Sequence, residues 1–280
     1  MNTIDLYNDV CLKASRTTTG SYSPSFSLGI RSLEKDLQGP IHAIYGFVRF
    51  ADEIVDTFHG FDKKTLLARF REDTHTAIRE GISLNPILQS FQLVVNGYGI
   101  EAELYNTFLD SMAMDLEDRT YDQRSYETYI LGSAEVVGLM CLRVFCKNDD
   151  ALYQRLKPSA MKLGSAFQKV NFLRDLKDDH INLGRTYFPG VDVARMDKAT
   201  KAQIEADIHA DLEAALVGIK QLPRGSRFGV YMAYVYYLAL FRKIQALPCD
   251  RILKERVSVP NRNKLALLTK SYVRHSLGLL

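Results

Sequence analysis

The chain has 280 residues, 46% hydrophobic and 25% charged, which is the composition of a folded globular protein. Its 36 basic and 33 acidic residues leave a formal net charge of +3 with no basic block, which argues against nucleic acid as a partner. The four cysteines (Cys11, Cys141, Cys146 and Cys249) form no CxxC pair and have no histidine cluster, so free thiols are expected and a zinc site is not.

Apolar residues recur at helical rather than alternating spacing almost throughout. The pattern predicts helices over 4–16, then from Pro40 to a close at Gly60, then over 63–79, 86–97, 102–116, 125–145, 150–177, 200–221, 224–246 and 261–275. The eight prolines read as punctuation between these segments, Pro40 as a first helical position and Gly60 as a left-handed close. Only Val257-Ser258-Val259 has strand character, and Pro260 cuts it short. No linker, repeat or phosphate-binding glycine loop is present, so the reading is all-α: one domain over 1–280, a helical bundle.

The start MNTIDLYNDV is polar and acidic, unlike a secretory signal. The uncharged stretch 228–241 holds four tyrosines and is shorter than the roughly 20 residues that span a bilayer. No transmembrane segment is expected; the protein reads as cytoplasmic, with loose adsorption to a membrane surface left open. Nothing in the pattern specifies an oligomeric state.

Two acidic pairs stand out. Asp52 and Asp56 are four apart, so they stack on one face of the helix that follows Pro40, with Arg49 and Tyr45 one and two turns before them. Like charges so placed repel, and a helix tolerates them either as a solvated face partnered by Arg49 or around a cation. The second pair, Asp175 and Asp179, repeats the arrangement, with Arg174 adjacent and Gln168, Asn171 and Asp175 forming one polar stripe. Carboxylate and amide oxygens with few soft ligands suit a hard cation such as Mg²⁺, with Mn²⁺ as an alternative. Such a cation takes one or two carboxylates and completes its shell with water and phosphate oxygens. Arg49, Arg174 and Arg185 carry the fork geometry that suits phosphate.

The run Ser25-Phe26 followed by Ala43 through Asp56 resembles the first signature of the squalene/phytoene synthase family. Gly164 through Asp175, ending at Asp179 and followed by Arg185-Thr186-Tyr187-Phe188-Pro189, resembles its second. Met112 through Leu116, Tyr129 ahead of Val137-Gly138, Tyr237 through Ile244, and Arg256 through Val259 with Lys264 match further blocks in the same order.

The resemblance implies an all-α prenyl-synthase fold around a central hydrophobic cavity. It also implies head-to-head condensation of two prenyl diphosphates through a cyclopropyl diphosphate. By the same resemblance Asp52, Asp56, Asp175 and Asp179 hold Mg²⁺. Arg49, Gln168, Asn171, Arg174, Arg185 and Arg256 surround the diphosphates, and Tyr129, Tyr187 and Tyr237 lie near the reacting carbons. The sequence departs from the family pattern at Tyr22 (histidine in some members), Pro24 (often basic), Gly39 (often arginine), and Ser111 and Glu135 (usually glycine). These bear on phosphate grip and cavity shape and remove no expected metal ligand.

A phytoene synthase type enzyme of carotenoid biosynthesis, acting on geranylgeranyl diphosphate, is the expectation, and NADPH is not expected. The rivals are a C30 squalene or dehydrosqualene synthase, a terpene cyclase, and a catalytically silent helical scaffold. In 228–241 the stripe Tyr231, Tyr234, Leu238 and Phe241 is read as cavity wall because of the acidic helices. The six histidines form no cluster, while Asp115, Glu117 and Glu135 suit a capping or buried hydrogen-bonding role as well as a catalytic one.

Overall fold

The computed structural model describes residues 3–117, 121–182, 187–191, 196–252 and 257. In chain order the helices are α1 (Thr3–Tyr22), α2 (Pro24–Arg31), α3 (Lys35–Asp56), α4 (Lys63–Glu80), α5 (Pro86–Tyr98) and α6 (Ala102–Met114). They continue with α7 (Gln123–Ile130), a π turn (Leu131–Glu135), α8 (Val136–Cys146), α9 (Asp150–Asn182), α10 (Lys198–Gln221), α11 (Arg224–Gln245) and the single turn α12 (Cys249–Ile252). There is no strand among the described residues. Arg185, Arg256, the side chain of Asp179, the helix expected over 261–275 and most of the 257–259 segment lie outside them.

Local chemistry sets many of the boundaries. Asp62, Asn85, Asp122 and Asp197 each turn a side-chain oxygen onto a first-turn amide of α4, α5, α7 and α10. Gly81 and Gly99 close α4 and α5 with φ of 71° and 62°, a conformation that disfavours any side chain with a Cβ.

Several expectations are corrected. Pro40 and Pro158 lie inside α3 and α9 rather than between helices. α3 begins earlier, at Lys35, because Leu37 is needed in the core, where it is 1% exposed. That burial outweighs the amide hydrogen bond lost at Pro40. α3 stops at Asp56 on Thr57, so Gly60 does not close it. The short α2, placed by Pro24 at its first turn, was not anticipated.

The helix expected over 125–145 is interrupted by the π turn, and the packing there is close. A Cβ on Gly132 would fall 2.5 Å from Ser111 Cβ, and one on Gly164 would fall 2.6 Å from the Ala134 carbonyl oxygen. The run Gln123–Cys146 is long and apolar enough to cross a membrane by length and composition, a feature the residue reading passed over. Here it is a core helix, with Leu139, Met140, Leu142 and Val144 buried.

Two apolar clusters fill the interior. One joins α1 to α6 with α8 and is centred on Phe47, which stacks on Phe91 at 3.8 Å between ring centroids. The other joins α7 with α9, α10 and α11 and is rich in tyrosine. Val230 packs against both. The side chains bordering this seam, among them Phe26, Val48, Val137, Cys141, Leu163 and Tyr237, are only partly buried. Cys141 keeps accessible surface, yet burial pushes its thiol up to about 12. By contrast, Tyr231, Tyr234 and Phe241 are core residues of the second cluster; of the expected wall stripe only Leu238 stays partly buried. All four cysteines are free thiols, with Cys11 and Cys146 buried and the other two intermediate.

One buried group makes stability depend on pH. His42 is 2% exposed, and neither imidazole nitrogen has a hydrogen-bond partner among the described residues. Burial, reinforced by the positive charges of Arg16 and Arg31, pushes its pKa down from 6.5 to about 4. Between those values the unfolded chain holds a proton that the folded chain lacks. Stability therefore falls as pH drops through that window, by about 3 kcal/mol for this group alone. In urea titrations, His42→Leu should lose less stability than the parent between pH 7 and pH 4.5. Equal losses would show that His42 does not titrate this way.

Candidate functional site

The first acidic pair lies on the last two turns of α3. Arg49 Nη1 donates to Asp52 at 2.6 Å and Nη2 to Glu53, so one guanidinium bridges both carboxylates. Glu53 is buried at 9% exposure, while Asp56 faces outward. The Arg49 Nε is buried and has no partner among the described residues. Its guanidinium lies over the Tyr22 ring, with Cζ 4.3 Å from the ring centroid.

The second pair lies on α9. Arg174 Nε donates to both Asp175 oxygens at 3.0 and 3.1 Å, and Nη2 donates to one of them. Burial pushes this guanidinium down, but the Asp175 hydrogen bonds and charge outweigh it and hold it above its ordinary value. One turn earlier, Asn171 Oδ1 accepts from the Tyr237 hydroxyl of α11 at 3.3 Å. Tyr237 stacks on Phe167 with centroids 3.8 Å apart.

Tyr45 of α3 is electrostatically coupled to Tyr237 of α11. Its phenol is pushed up chiefly by burial, and it also feels Arg49 and Asp52 on its own helix and Tyr237 across the seam. Tyr237 in turn is raised by burial and feels Arg174, Asn171 and Asp175. Tyr45 stands with Arg49 and Asp52 on α3, and Tyr237 reaches Asn171 on α9, one turn before Arg174 and Asp175.

A second aromatic group lies further along α9. Tyr129 and Tyr187 are 5.2 Å apart between centroids, Phe172 stacks on Tyr187 at 4.2 Å, and Tyr121 abuts both tyrosines at 5.4 and 5.1 Å. The Tyr129 hydroxyl donates to Asp115 Oδ2 at 2.8 Å. Burial, with the Asp115 charge next, holds the Tyr129 phenol well above its ordinary value, so it stays protonated and can donate. Asp115 also lines a cleft of about 320 Å³ past the end of α3, whose wall includes His59, Phe61, Lys63 and Lys64.

The sequence reading placed Arg49, Asp52, Asn171, Arg174, Asp175 and Tyr237 in one site; the structure pairs Arg49 with Asp52, Arg174 with Asp175, and Tyr237 with Asn171. It sets Tyr129 and Tyr187 in a separate aromatic group and leaves Gln168 partly buried on α9. Glu53, Phe167, Tyr121 and Tyr22 were missed as members. Glu53 had a signal in its spacing of four from Arg49, Tyr22 in its departure from the family pattern and Phe167 in its place within the second signature.

A divalent cation is tested by the donors present. Among the described residues no three His, Cys, Asp or Glu side chains gather into a metal cluster. All the candidate donors are oxygens, and each acidic pair has an arginine beside it. That set fits a hard cation held by few carboxylates and completed by water and phosphate oxygens, with the orphaned Arg49 Nε–H as a further donor for an anion.

Comparison with known proteins identifies relatives of this chain. A phytoene synthase of Cereibacter sphaeroides is 27% identical over 96% of this chain and 80% of its own length. A presqualene diphosphate synthase of Zymomonas mobilis is 31% identical over 70% of this chain and 64% of its own. Among solved structures, a dehydrosqualene synthase with bound ligand superposes with a TM-score of 0.82 at 19% identity, over 96% of this chain and 98% of that one. The family model for squalene/phytoene synthase matches residues 19–263, and the chain belongs to that family.

Proposed function

We propose that this chain, acting as one domain, joins two geranylgeranyl diphosphates head to head into phytoene for carotenoid biosynthesis. The observation that supports the reading is the presence of an Arg–Asp pair on each of two helices, Arg49–Asp52 on α3 and Arg174–Asp175 on α9, in a chain of the squalene/phytoene synthase family. An allylic diphosphate leaves as an anion and leaves a carbocation behind, so a site for it must bind negative charge at one end and stay dry at the other.

Arg49 and Arg174 grip the diphosphate oxygens, with Gln168 and Asn171 beside them and Arg185 and Arg256 joining from outside the described residues. Asp52, Asp56, Asp175 and Asp179 would hold Mg²⁺, or Mn²⁺ in its place. Such a cation supplies charge neutralisation at the departing diphosphate. The aromatic faces of Tyr237, Phe167, Tyr129 and Tyr187 exclude water and stabilise positive charge at about 0.5–2 kcal/mol per contact. Tyr129 is oriented by its hydrogen bond to Asp115.

A C30 reading, squalene or dehydrosqualene from farnesyl diphosphate, is the second one, favoured by the presqualene diphosphate synthase and dehydrosqualene synthase similarities. NADPH is not required in the phytoene reading. The intact aspartates and arginines disfavour a silent scaffold. The protein is placed in the cytoplasm, with peripheral membrane contact allowing for apolar substrates and product.

Chelation by EDTA should stop turnover, and added Mg²⁺ should restore it. Activity that persists in EDTA would remove the metal from the mechanism. Tyr237→Ala opens the wall between Phe167 and Asn171 and should change the product profile more than the melting temperature. A large stability loss with unchanged product would return Tyr237 to a packing role.

A further inference from the structure

Tyr22 ends α1 about half exposed, and core packing gives no reason for an aromatic residue there. What it touches is the guanidinium of Arg49. Arg49 also reaches Asp52 and Glu53 through its two terminal nitrogens. Two hydrogen bonds from a long side chain still allow its planar group to tilt about the line joining the acceptors. A ring packed against Cζ restricts that freedom.

We propose that Tyr22 is the positioning residue for Arg49, fixing the guanidinium plane at the acidic end of α3 so that the arginine meets an incoming diphosphate already oriented. The proposal rests on the prenyl diphosphate reading for its effect on turnover, while the Tyr22–Arg49 coupling stands independently of it. The ring acts and the hydroxyl does not, so phenylalanine should replace Tyr22 and leucine should not.

The test uses the full-length protein with Tyr22→Phe and Tyr22→Leu, each also in an Arg49→Lys background. A cation–π contact of this kind corresponds to roughly a 2- to 30-fold effect. Tyr22→Leu should raise KM for geranylgeranyl or farnesyl diphosphate, whichever the enzyme turns over, by that factor, with kcat little changed and the melting temperature unmoved. Tyr22→Phe should behave as the parent, and Tyr22→Leu should add nothing in the Arg49→Lys background.

In the ligand-free protein, the ¹⁵Nε signal of Arg49, assigned by its loss in Arg49→Lys, should shift and narrow in Tyr22→Leu. The proposal is overturned if Tyr22→Phe loses as much as Tyr22→Leu, if the leucine effect persists in the Arg49→Lys background, or if the Arg49 signal does not respond. A parent protein that turns over no prenyl diphosphate while the Arg49 signal still responds would overturn the functional reading and leave the coupling intact.

Discussion

Asp52→Asn removes one charge from the first acidic pair and should lower turnover by roughly 10²- to 10³-fold or more, the scale of losing one preorganised electrostatic contact. Asp175→Asn should do the same on α9. Neither change should disturb folding, because the two side chains are 32% and 21% exposed and each sits on a long helix with its own core face. Arg49 keeps Glu53, so no buried charge is left alone. Circular dichroism and melting should therefore match the parent while product formation vanishes. Near-normal activity in either variant would sink the assignment of these carboxylates.

Asp211→Ala should be the most destabilising of the single changes considered. Asp211 on α10 is 2% exposed and accepts hydrogen bonds from Ser165 and Lys169 of α9, both at 2.7 Å. Lys162 lies 2.8 Å from its other oxygen. Burial pushes this carboxyl up, but those three partners outweigh it and hold it below its ordinary value. Its contribution is thus complete above the ordinary carboxylate range and is lost as pH falls through the lowered value.

Removing one partner of a buried ion pair costs about 3–5 kcal/mol, which corresponds to a fall of roughly 6–20 °C in melting temperature. Asp207 also meets Lys169, at 2.5 Å, but its side chain is 57% exposed, so Asp207→Ala should cost under about 1 kcal/mol. Equal losses from the two variants would show that burial does not set the strength of this network. The pair ties α9 to α10 on the face turned away from Asn171 and Asp175, so the same residues hold the acidic helix in place.

How much of this was legible in the residues follows from the range of each interaction. The helices were readable because apolar spacing and caps such as Asp62, Asn85 and Gly81 act within a few positions. The start of α3 was misplaced because Pro40 is a local signal, whereas the burial of Leu37 is a tertiary one. The π turn depends on Gly132 meeting Ser111 and Gly164 meeting Ala134, contacts between distant segments that no window along the chain contains.

The site divides in the same way. Arg49 with Asp52, and Arg174 with Asp175, were visible as neighbours on one helix, and their order along the chain supplied the family resemblance. Tyr22 over Arg49 and Phe167 against Tyr237 join different helices or different faces, and only the folded structure displays them. For Asp115, left open between a capping or buried hydrogen-bonding role and a catalytic one, the structure shows the buried hydrogen bond, accepted from the Tyr129 hydroxyl across 14 residues.

The measurement that bears most directly on the proposed condensation is product analysis. Purified protein is incubated with Mg²⁺ and either farnesyl or geranylgeranyl diphosphate, with and without NADPH, and the hydrocarbon extracted into hexane is identified. The account predicts a C40 polyene from geranylgeranyl diphosphate, formed equally well without NADPH. A C30 hydrocarbon from farnesyl diphosphate alone would contradict the C40 assignment, and no hydrocarbon from either substrate would contradict the condensation itself.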